Sequence, residues 1–516
     1  MKTDVIIVGA GPTGLSLACQ FIRHGVDFVI IEKNDGLTPY SKAIGVQART
    51  LEIYEQLDLA QRAVSEGTIA GKGRMLAEGE VRGEIDLSAI GEGLSAYPYL
   101  LLLEQSKNEK LLHNYLENHG KEVRWNSELV SLTQDDQSVS ATVRNADGSA
   151  LTLEARYLVG CDGAKSPTRH LLGLEFEGST FERMFYVADA QVDWKFSHDA
   201  VHICLSRDTL LVFFPLKGEK RYRIVGSFPE GHEKDEGEIL YEEIERHIKE
   251  KAKLDLDIHD VEWFSTYRVH TRHVNRFSEG KGFLAGDSAH IHTPAGGQGM
   301  NTGIQDAYNL AWKMAMVLRG DSSEKLLETY NEERLENAKR LLETTDRLFQ
   351  FVAGTDWFLA FLRTNVMPAI AQYFLSLDAV KNFIFPTISQ IGINYRHGSL
   401  SQHAGDEDFK VKAGDRMPWF LIEGNSVYDQ LRQSKFHLLH FSDDPENSSS
   451  QKRELDVAHR DAVEFHSLLL SETAAQAFGT TKPFIVFLRP DNYIGFISAD
   501  VAMGRVTDYL IKIAGQ

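Results

Sequence analysis

An apolar strand, Val5-Ile6-Ile7-Val8, runs straight into Gly9-Ala10-Gly11-Pro12-Thr13-Gly14 and then into the helical sequence Leu15-Ser16-Leu17-Ala18-Cys19-Gln20-Phe21. Few other arrangements restrict a chain so strongly. Gly9 serves the tight turn, Gly11 lets the backbone approach a pyrophosphate, and Gly14 lets the helix press against the strand. The helix N-terminus then offers N–H groups and partial positive charge to a phosphate. A second apolar strand, Phe28 to Ile31, ends at Glu32, 18 positions after Gly14, with Lys33 next. A carboxylate there can accept hydrogen bonds from ribose hydroxyls. The expected start is a βαβ unit that binds a dinucleotide through Gly9, Gly11, Pro12, Thr13, Gly14, Glu32 and Lys33.

Two distant segments have similar punctuation. Tyr157-Leu158-Val159-Gly160-Cys161-Asp162-Gly163-Ala164-Lys165-Ser166 is a strand that turns at Asp162, followed by Arg169. Two readings stand: a cofactor contact, or an Asp-Gly turn opening a helix with Ser166 as its cap. Gly282-Phe283-Leu284-Ala285-Gly286-Asp287-Ser288-Ala289-His290 is a further strand ending in an acid, and Pro294-Ala295-Gly296-Gly297-Gln298-Gly299-Met300-Asn301 leads into a long helix. A Gly-rich loop that opens a helix stabilises anions, which suits a ring whose reduced form carries negative charge, such as an isoalloxazine. Gly297, Gly299, Met300 and Asn301 are therefore expected cofactor contacts. Pro294 and Gly297 are expected on the reacting face, with no side-chain base assigned. His290 and His292 read as supports of this loop or as proton carriers.

A length of 516 residues suggests about three domains. The sequence divides into a dinucleotide-binding part over 1–179, a strand-rich insertion over 180–275, a return to the first domain with helices over 276–400, and a C-terminal domain over 401–516. Helices are expected at about 48–65 and 105–118, a β-meander from Val123 to Val159, and a lid or sheet over 71–98. The insertion, with one helix near 237–252, is the natural place for substrate. His202, Phe213, Tyr222 and Arg223 are its candidate pocket residues, although alternation alone leaves strand polarity open, and sheet packing is the competing reading for each.

Charge and cysteine content exclude several functions. With 55 basic against 74 acidic residues, the net charge of −19 repels nucleic acid and anionic membranes. Cys19, Cys161 and Cys204 are the only cysteines and lack metal-ligand or CxxC spacing, so neither a disulfide framework nor a metal site is expected. Met1 to Asp4 lead directly into the first strand without a signal-peptide pattern. Trp357 to Ala371 is apolar but contains Arg363 and is shorter than the roughly 18 residues of a membrane span. The expected location is the cytoplasm.

In order and content these motifs resemble the flavin-dependent aromatic hydroxylases, the class A monooxygenases typified by p-hydroxybenzoate hydroxylase, over roughly residues 1 to 400. The resemblance implies an α/β fold: a Rossmann-like FAD-binding domain with an inserted β-sheet substrate domain. It implies that Gly9, Gly11, Gly14 and Glu32 hold the ADP part of a non-covalent FAD, that Asp162 serves FAD and the pyridine nucleotide, and that Asp287 contacts the ribityl chain. Arg49 and Gln105 match further FAD-contacting positions. It also implies that NAD(P)H docks transiently, that O2 is activated as a flavin C4a-hydroperoxide, and that a small aromatic molecule is hydroxylated: a phenol, a polycyclic natural product or an antibiotic. A flavin oxidase or dehydrogenase, or a non-catalytic flavin-binding scaffold, is the alternative. Lys42 stands where many relatives have Arg, and Thr293 where many have a second Pro before Pro294. Residues 413 to 516, through Gly414-Asp415-Arg416-Met417-Pro418, Tyr428-Asp429 and Leu488-Arg489-Pro490-Asp491, are similar to the thioredoxin-like C-terminal α/β domain of phenol, polyketide and rifampicin monooxygenases. Without cysteines this domain cannot exchange dithiols, so a structural role or a homodimer contact is expected.

Overall fold

In a computed structural model describing residues 1–205, 209–229, 238–293, 295–353, 378–404, 408–448 and 462–515, the first strand, β1 (Lys2–Val8), lies at the centre of a parallel sheet. It is flanked by β2 (Phe28–Ile31) on one side and by Ala150–Gly160 on the other, with Gly282–Leu284 beyond. Val5 and Ile7 point into a core shared with helix α1 (Pro12–His24), and Ile6 and Val8 into a second core beneath the meander strands Ser127–Gln134 and Val139–Asn145. A strand covered on both faces reads as an unbroken apolar run, which explains why Val5 to Val8 does not alternate. Helix α1 ends at Gly25, whose left-handed backbone (φ 70°) caps it. Its buried Leu15, Leu17 and Phe21 each contribute about 1.5–3 kcal/mol relative to exposure.

The helix expected at 48–65 is two helices, Ala48–Glu55 and Ala60–Glu66. Asp58 breaks it by adopting a left-handed backbone at φ 57°. The helix at Gln105–Asn118 follows.

An eight-stranded sheet stands over the nucleotide-type sheet, in the order His290–Ile291, Asp257–Val274, Phe176–Asp193, Arg221–Ser227, Leu210–Pro215, Ala200–Leu205, Lys72–Ala77 and Glu80–Asp86. The two 18-residue strands, Phe176–Asp193 and Asp257–Val274, run antiparallel, with register shifts that bend them between Thr180 and Met184 and between Asp189 and Gln191. Residues 72–86 thus belong to this sheet as a hairpin joined in parallel to Ala200–Leu205. One face packs against helix Tyr241–Ala252 around Leu211, Phe213, Tyr222, Ile224, Ile244 and Ile248. The other face carries Val201 and Val212 and meets Ala70 and Leu102, with Ile44, Leu100 and Phe214 at its margin.

The C-terminal domain is a five-stranded sheet in the order Gln402–Ala404, Ile494–Ser498, Phe484–Leu488, Phe436–Ser442 and Val463–Leu469, with helices Glu472–Phe478 and Met503–Gly515. It is the thioredoxin-like unit that the fold class required. Its characteristic residues face the rest of the chain. Arg489 binds Glu333 and Asp491, Asp491 accepts from Trp312 Nε1 at 3.1 Å, and Arg416 donates to Glu52 at 3.0 Å and to Leu94 O at 2.9 Å. Among the described residues no helix is long and apolar enough to cross a membrane. The apolar stretch Trp357 to Ala371 lies outside the described residues.

Candidate active site between the glycine loops and the sheet

The glycine turn is fixed by close backbone approaches. A Cβ on Gly9, which has φ +103°, would lie 2.4 Å from Cys161 O, and one on Gly14 would lie 1.9 Å from Gly9 O. Gly11 differs, because a Cβ there would meet nothing within 4 Å. The space in front of Gly11 is open, and no side chain caps α1, so the helix N-terminus presents N–H groups to that space. These observations fit a bound pyrophosphate. Glu32 Oε2 accepts from Ala10 N at 2.9 Å and its Oε1 accepts from Asn34 N at 3.0 Å, which holds the carboxylate beside the turn with lone pairs to spare. Lys33 is exposed beside it.

The three distant segments meet here. Cys161 O lies under Gly9, and Thr13 Oγ1 fills the room in which a Cβ on Gly286 or Gly303 would come within 2.4 or 2.3 Å. Arg169 reaches from the second segment to the third, donating to Ser288 O at 3.2 Å and Ala164 O at 3.0 Å while lying over the Phe176 ring. The Asp162 carboxylate accepts from Ser166 Oγ and from the N–H and Oγ1 of Thr168, and Ser166 Oγ in turn accepts from Arg169 N. Its side chain therefore serves the turn, as the capping reading required. Burial pushes its carboxyl up, partly offset by those hydrogen bonds.

Asp287 is exposed at the surface of the cleft, yet crowding by protein raises its carboxyl against the opposing pull of His290 and Lys42. The residue that holds its turn is Asp306, which sequence reasoning missed. Asp306 Oδ2 accepts from Gly286 N at 2.9 Å and contacts His290 Nε2 at 2.7 Å, while its Oδ1 accepts from Arg334 Nε at 2.6 Å. Burial would raise this carboxyl, but the Arg334 guanidinium and His290 outweigh it and hold it below the usual carboxylate range. His290 is thus a support for the loop. The signal in the sequence was spacing: Asp306 lies two turns after Gly299 and so shares its helix face.

Asn301 staples the glycine loop to the segment before Arg49. Its Nδ2 donates to Gly45 O and Gly297 O, both at 2.9 Å, and its Oδ1 accepts from Gln47 N at 2.9 Å and Thr50 Oγ1 at 2.7 Å. Gly296 and Gly297 are exposed with φ +75° and +62°, and no side chain caps the helix Gly299–Arg319. Met300 sits in its first turn, where its Sδ accepts from Asn108 Nδ2. Burial lowers His292 to about 4, and its Nδ1 contacts Thr293 O at 2.8 Å, leaving Nε2 without a hydrogen-bond partner beside Gly299. Pro294 lies outside the described residues.

Four candidates stand elsewhere than expected. Arg49 is 1% exposed and faces away from the glycine turn: it pairs with Glu52, donates to Asp491 O at 2.8 Å and lies against the Tyr308 and Tyr493 rings. Its guanidinium joins the first domain to the C-terminal one. His202, Phe213 and Tyr222 lie on the face of the sheet remote from the loop, gathered around Trp194 with ring centroids at 4.6, 4.7 and 5.2 Å. Period-2 alternation put them together but could not say which face met the cofactor domain. Arg223, one position on, has the opposite orientation. It is paired with Asp189 by two bonds of 2.7 Å, and Trp263 Nε1 donates to Asp189 at 2.8 Å. The Arg223 Nη1 group is buried without a partner. Gln105 stays near the loops, accepting from Ala43 N at 3.2 Å and donating to Glu109 at 2.8 Å.

A Rossmann-like domain, two glycine loops over an open helix N-terminus and a large sheet above them define the class of dinucleotide-binding flavoproteins. The family of FAD-binding domains matches residues 2–345, and the chain belongs to it. A flavin-dependent monooxygenase of Mycobacteroides abscessus is 32% identical over 524 residues, covering 99% of both chains. A rifampicin monooxygenase of Streptomyces venezuelae is 32% identical over 438 residues, covering 84% of this chain and 87% of its own. Among solved structures, the anhydrotetracycline hydroxylase OxyS of Streptomyces rimosus superposes with a TM-score of 0.78 at 27% identity, covering 100% of both chains. The protein is an FAD-dependent aromatic monooxygenase that uses NAD(P)H and O2.

Proposed function

We propose that the substrate is a planar phenolic or polycyclic compound, of the kind named for the rifampicin and anhydrotetracycline enzymes, held between the loop at Gly296-Gly297 and the inner face of the eight-stranded sheet. The observation that carries this is the character of that face. Val201 and Val212 pack there against Ala70 and Leu102, half-buried Phe214 stands at the margin, and beside them lies one buried polar group, the Arg223–Asp189–Trp263 cluster, whose Arg223 Nη1 has a donor to spare. Apolar walls with a few fixed polar groups suit a flat, oxygenated ring system.

In this reading Gly9, Gly11, Pro12, Thr13 and Gly14 hold the FAD pyrophosphate at the N-terminus of α1, and Glu32 accepts from the ribose, with Lys33 at the rim. Asp287 faces the ribityl chain. The N–H groups of Gly297, Gly299, Met300 and Asn301 would hold the flavin ring, while Gln105 and Asp162 act through the segments they brace. FAD held by these residues would supply the hydride acceptor for NAD(P)H and the centre for O2 activation. The chain's own residues exclude water with the sheet, orient the substrate through Arg223, and present His292 as a neutral imidazole with Nε2 free to accept a hydrogen bond. Cys19, Cys161 and Cys204 are buried and unpaired, and the setting we assign to the protein is the cytoplasm.

The test is turnover under oxygen-18 gas with NADH and NADPH across a panel of phenols and fused-ring polyketides. An oxygen-18 label in the product and faster NAD(P)H oxidation with fused rings are expected. Peroxide as the only product with every aromatic would sink the hydroxylase reading in favour of an oxidase.

A further inference from the structure

At the outer edge of the C-terminal sheet, away from the glycine loops, three donor atoms converge. His437 Nδ1 lies 3.0 Å from His466 Nε2 and 3.5 Å from Glu464 Oε2, and the last two are 3.9 Å apart. Parallel pairing of Phe436–Ser442 with Val463–Leu469 sets His437 opposite Glu464, and His466, two residues on, lies on the same face. Around a tetrahedral zinc ion with bonds of about 2.0–2.1 Å, ligand atoms stand roughly 3.3 Å from one another, within the range found here.

Two further observations point to a cation. His437 is fully buried, and its Nε2 lies 3.3 Å from Gln433 O, the arrangement that turns the Nδ1 lone pair toward the group, as an outer carbonyl does for a metal-bound histidine. Glu464 is 39% exposed, but its Oε2 is turned inward toward the two rings and has no hydrogen-bond donor, which leaves that oxygen open to a cation. Arg432, which lines the same recess, does not supply that charge: its guanidinium is shared among Glu55, Asp58 and Asp429. A hydrogen bond between the two rings alone would explain the 3.0 Å approach but not the bare carboxylate oxygen.

We propose that His437, Glu464 and His466 form a binding site for a divalent zinc-class cation, with water from the recess in the fourth position. Two histidines and a carboxylate favour such a metal over calcium or magnesium, which take oxygen ligands. The ion would tie the edge strand to its neighbour beside the seam where Ser434 Oγ donates to Arg23 O and Arg23 donates to Arg432 O. Sequence reasoning excluded metals from cysteine spacing, and a His on one strand with Glu-x-His on another, 27 residues later, carries no such spacing signal.

The experiment uses the full-length, FAD-loaded protein without a polyhistidine tag, stripped with a chelator and titrated with zinc chloride by calorimetry. Wild type is expected to bind one zinc per chain, and Glu464→Gln and His466→Gln should each weaken binding by at least about 100-fold while flavin content stays unchanged. Zinc-edge X-ray absorption of the wild type, which needs no variant, should report two imidazoles. Absence of stoichiometric binding, unchanged affinity in either variant, or a ligand shell without imidazole overturns the proposal.

Discussion

The glycine floor and the sheet above it achieve precision by opposite means. In the floor, atoms are placed by backbone against backbone: Gly14 against Gly9 O, Gly9 against Cys161 O, Gly286 and Gly303 against Thr13. In the sheet, apart from two register shifts in the long strands, side-chain alternation decides which residue faces which side: Tyr222 enters an aromatic core, whereas Arg223 enters an ion pair on the other face. A floor built from glycines tolerates almost no substitution and therefore leaves a sharp trace in the sequence. A sheet face tolerates many side chains, so it can vary with substrate and leaves little trace.

The largest effect is expected at Gly14→Ala. Its Cβ would meet a backbone oxygen at 1.9 Å, so the cost should exceed the usual range for overpacking and reach about 4 kcal/mol. The protein should be isolated without flavin, as absorbance would report. Arg223→Ala comes next, since it leaves the Asp189 carboxylate buried beside Trp263 alone, at about 3 kcal/mol of stability by denaturant titration. An Arg223→Met, Asp189→Leu double variant should recover most of that stability but not turnover, and full recovery of turnover would remove Arg223 from the substrate site.

Gly11→Ala separates the two roles of the floor. Gly11 is the N-cap of α1, with φ −75° and open space before it, so the entropic gain from alanine and its poorer capping oppose each other and apoprotein stability should change by less than about 1 kcal/mol. FAD affinity should nevertheless fall about 10-fold or more, corresponding to roughly 1.4 kcal/mol. Equal affinity for FAD would mean that the pyrophosphate does not lie there.

The smallest effect at neutral pH belongs to His202→Phe, in the aromatic core. Stability should change by less than about 1.5 kcal/mol and kcat/KM should hold; a fall in kcat/KM with unchanged stability would return His202 to the substrate site. Acid sharpens the same test. Burial lowers the His202 ring to about 4 from an unfolded value near 6.5, so the folded state resists a proton that the unfolded chain accepts. Its contribution is complete above pH 6.5 and lost as pH falls toward 4, on the order of 3 kcal/mol in all. Denaturation curves of His202→Phe should lack that part of the acid slope.

Legibility followed the same division. Gly9 to Gly14 and the Gly286-Asp287 turn were legible because each needs glycine for a backbone reason, and Glu32 because a carboxylate ends the second strand beside that turn. Asp162 gave two readings that only its contacts with Ser166 and Thr168 could separate. Arg49 was a cofactor candidate because it matches a position of the resembling family, and its Nη2 donates to Asp491 O, 442 residues later. Asp306 and Arg334 were hidden in helical sequence, where a buried ion pair looks like surface charge until the helices are packed.

The sequence by itself determined the glycine turn after the first strand and the α/β class, because these rest on local backbone geometry and apolar periodicity. The tertiary structure alone decided which face of the sheet looks onto the loops, which charges are buried in pairs, and that His437 meets Glu464 and His466. Those outcomes depend on strand polarity and on contacts between residues far apart in the chain, and no local pattern specifies either.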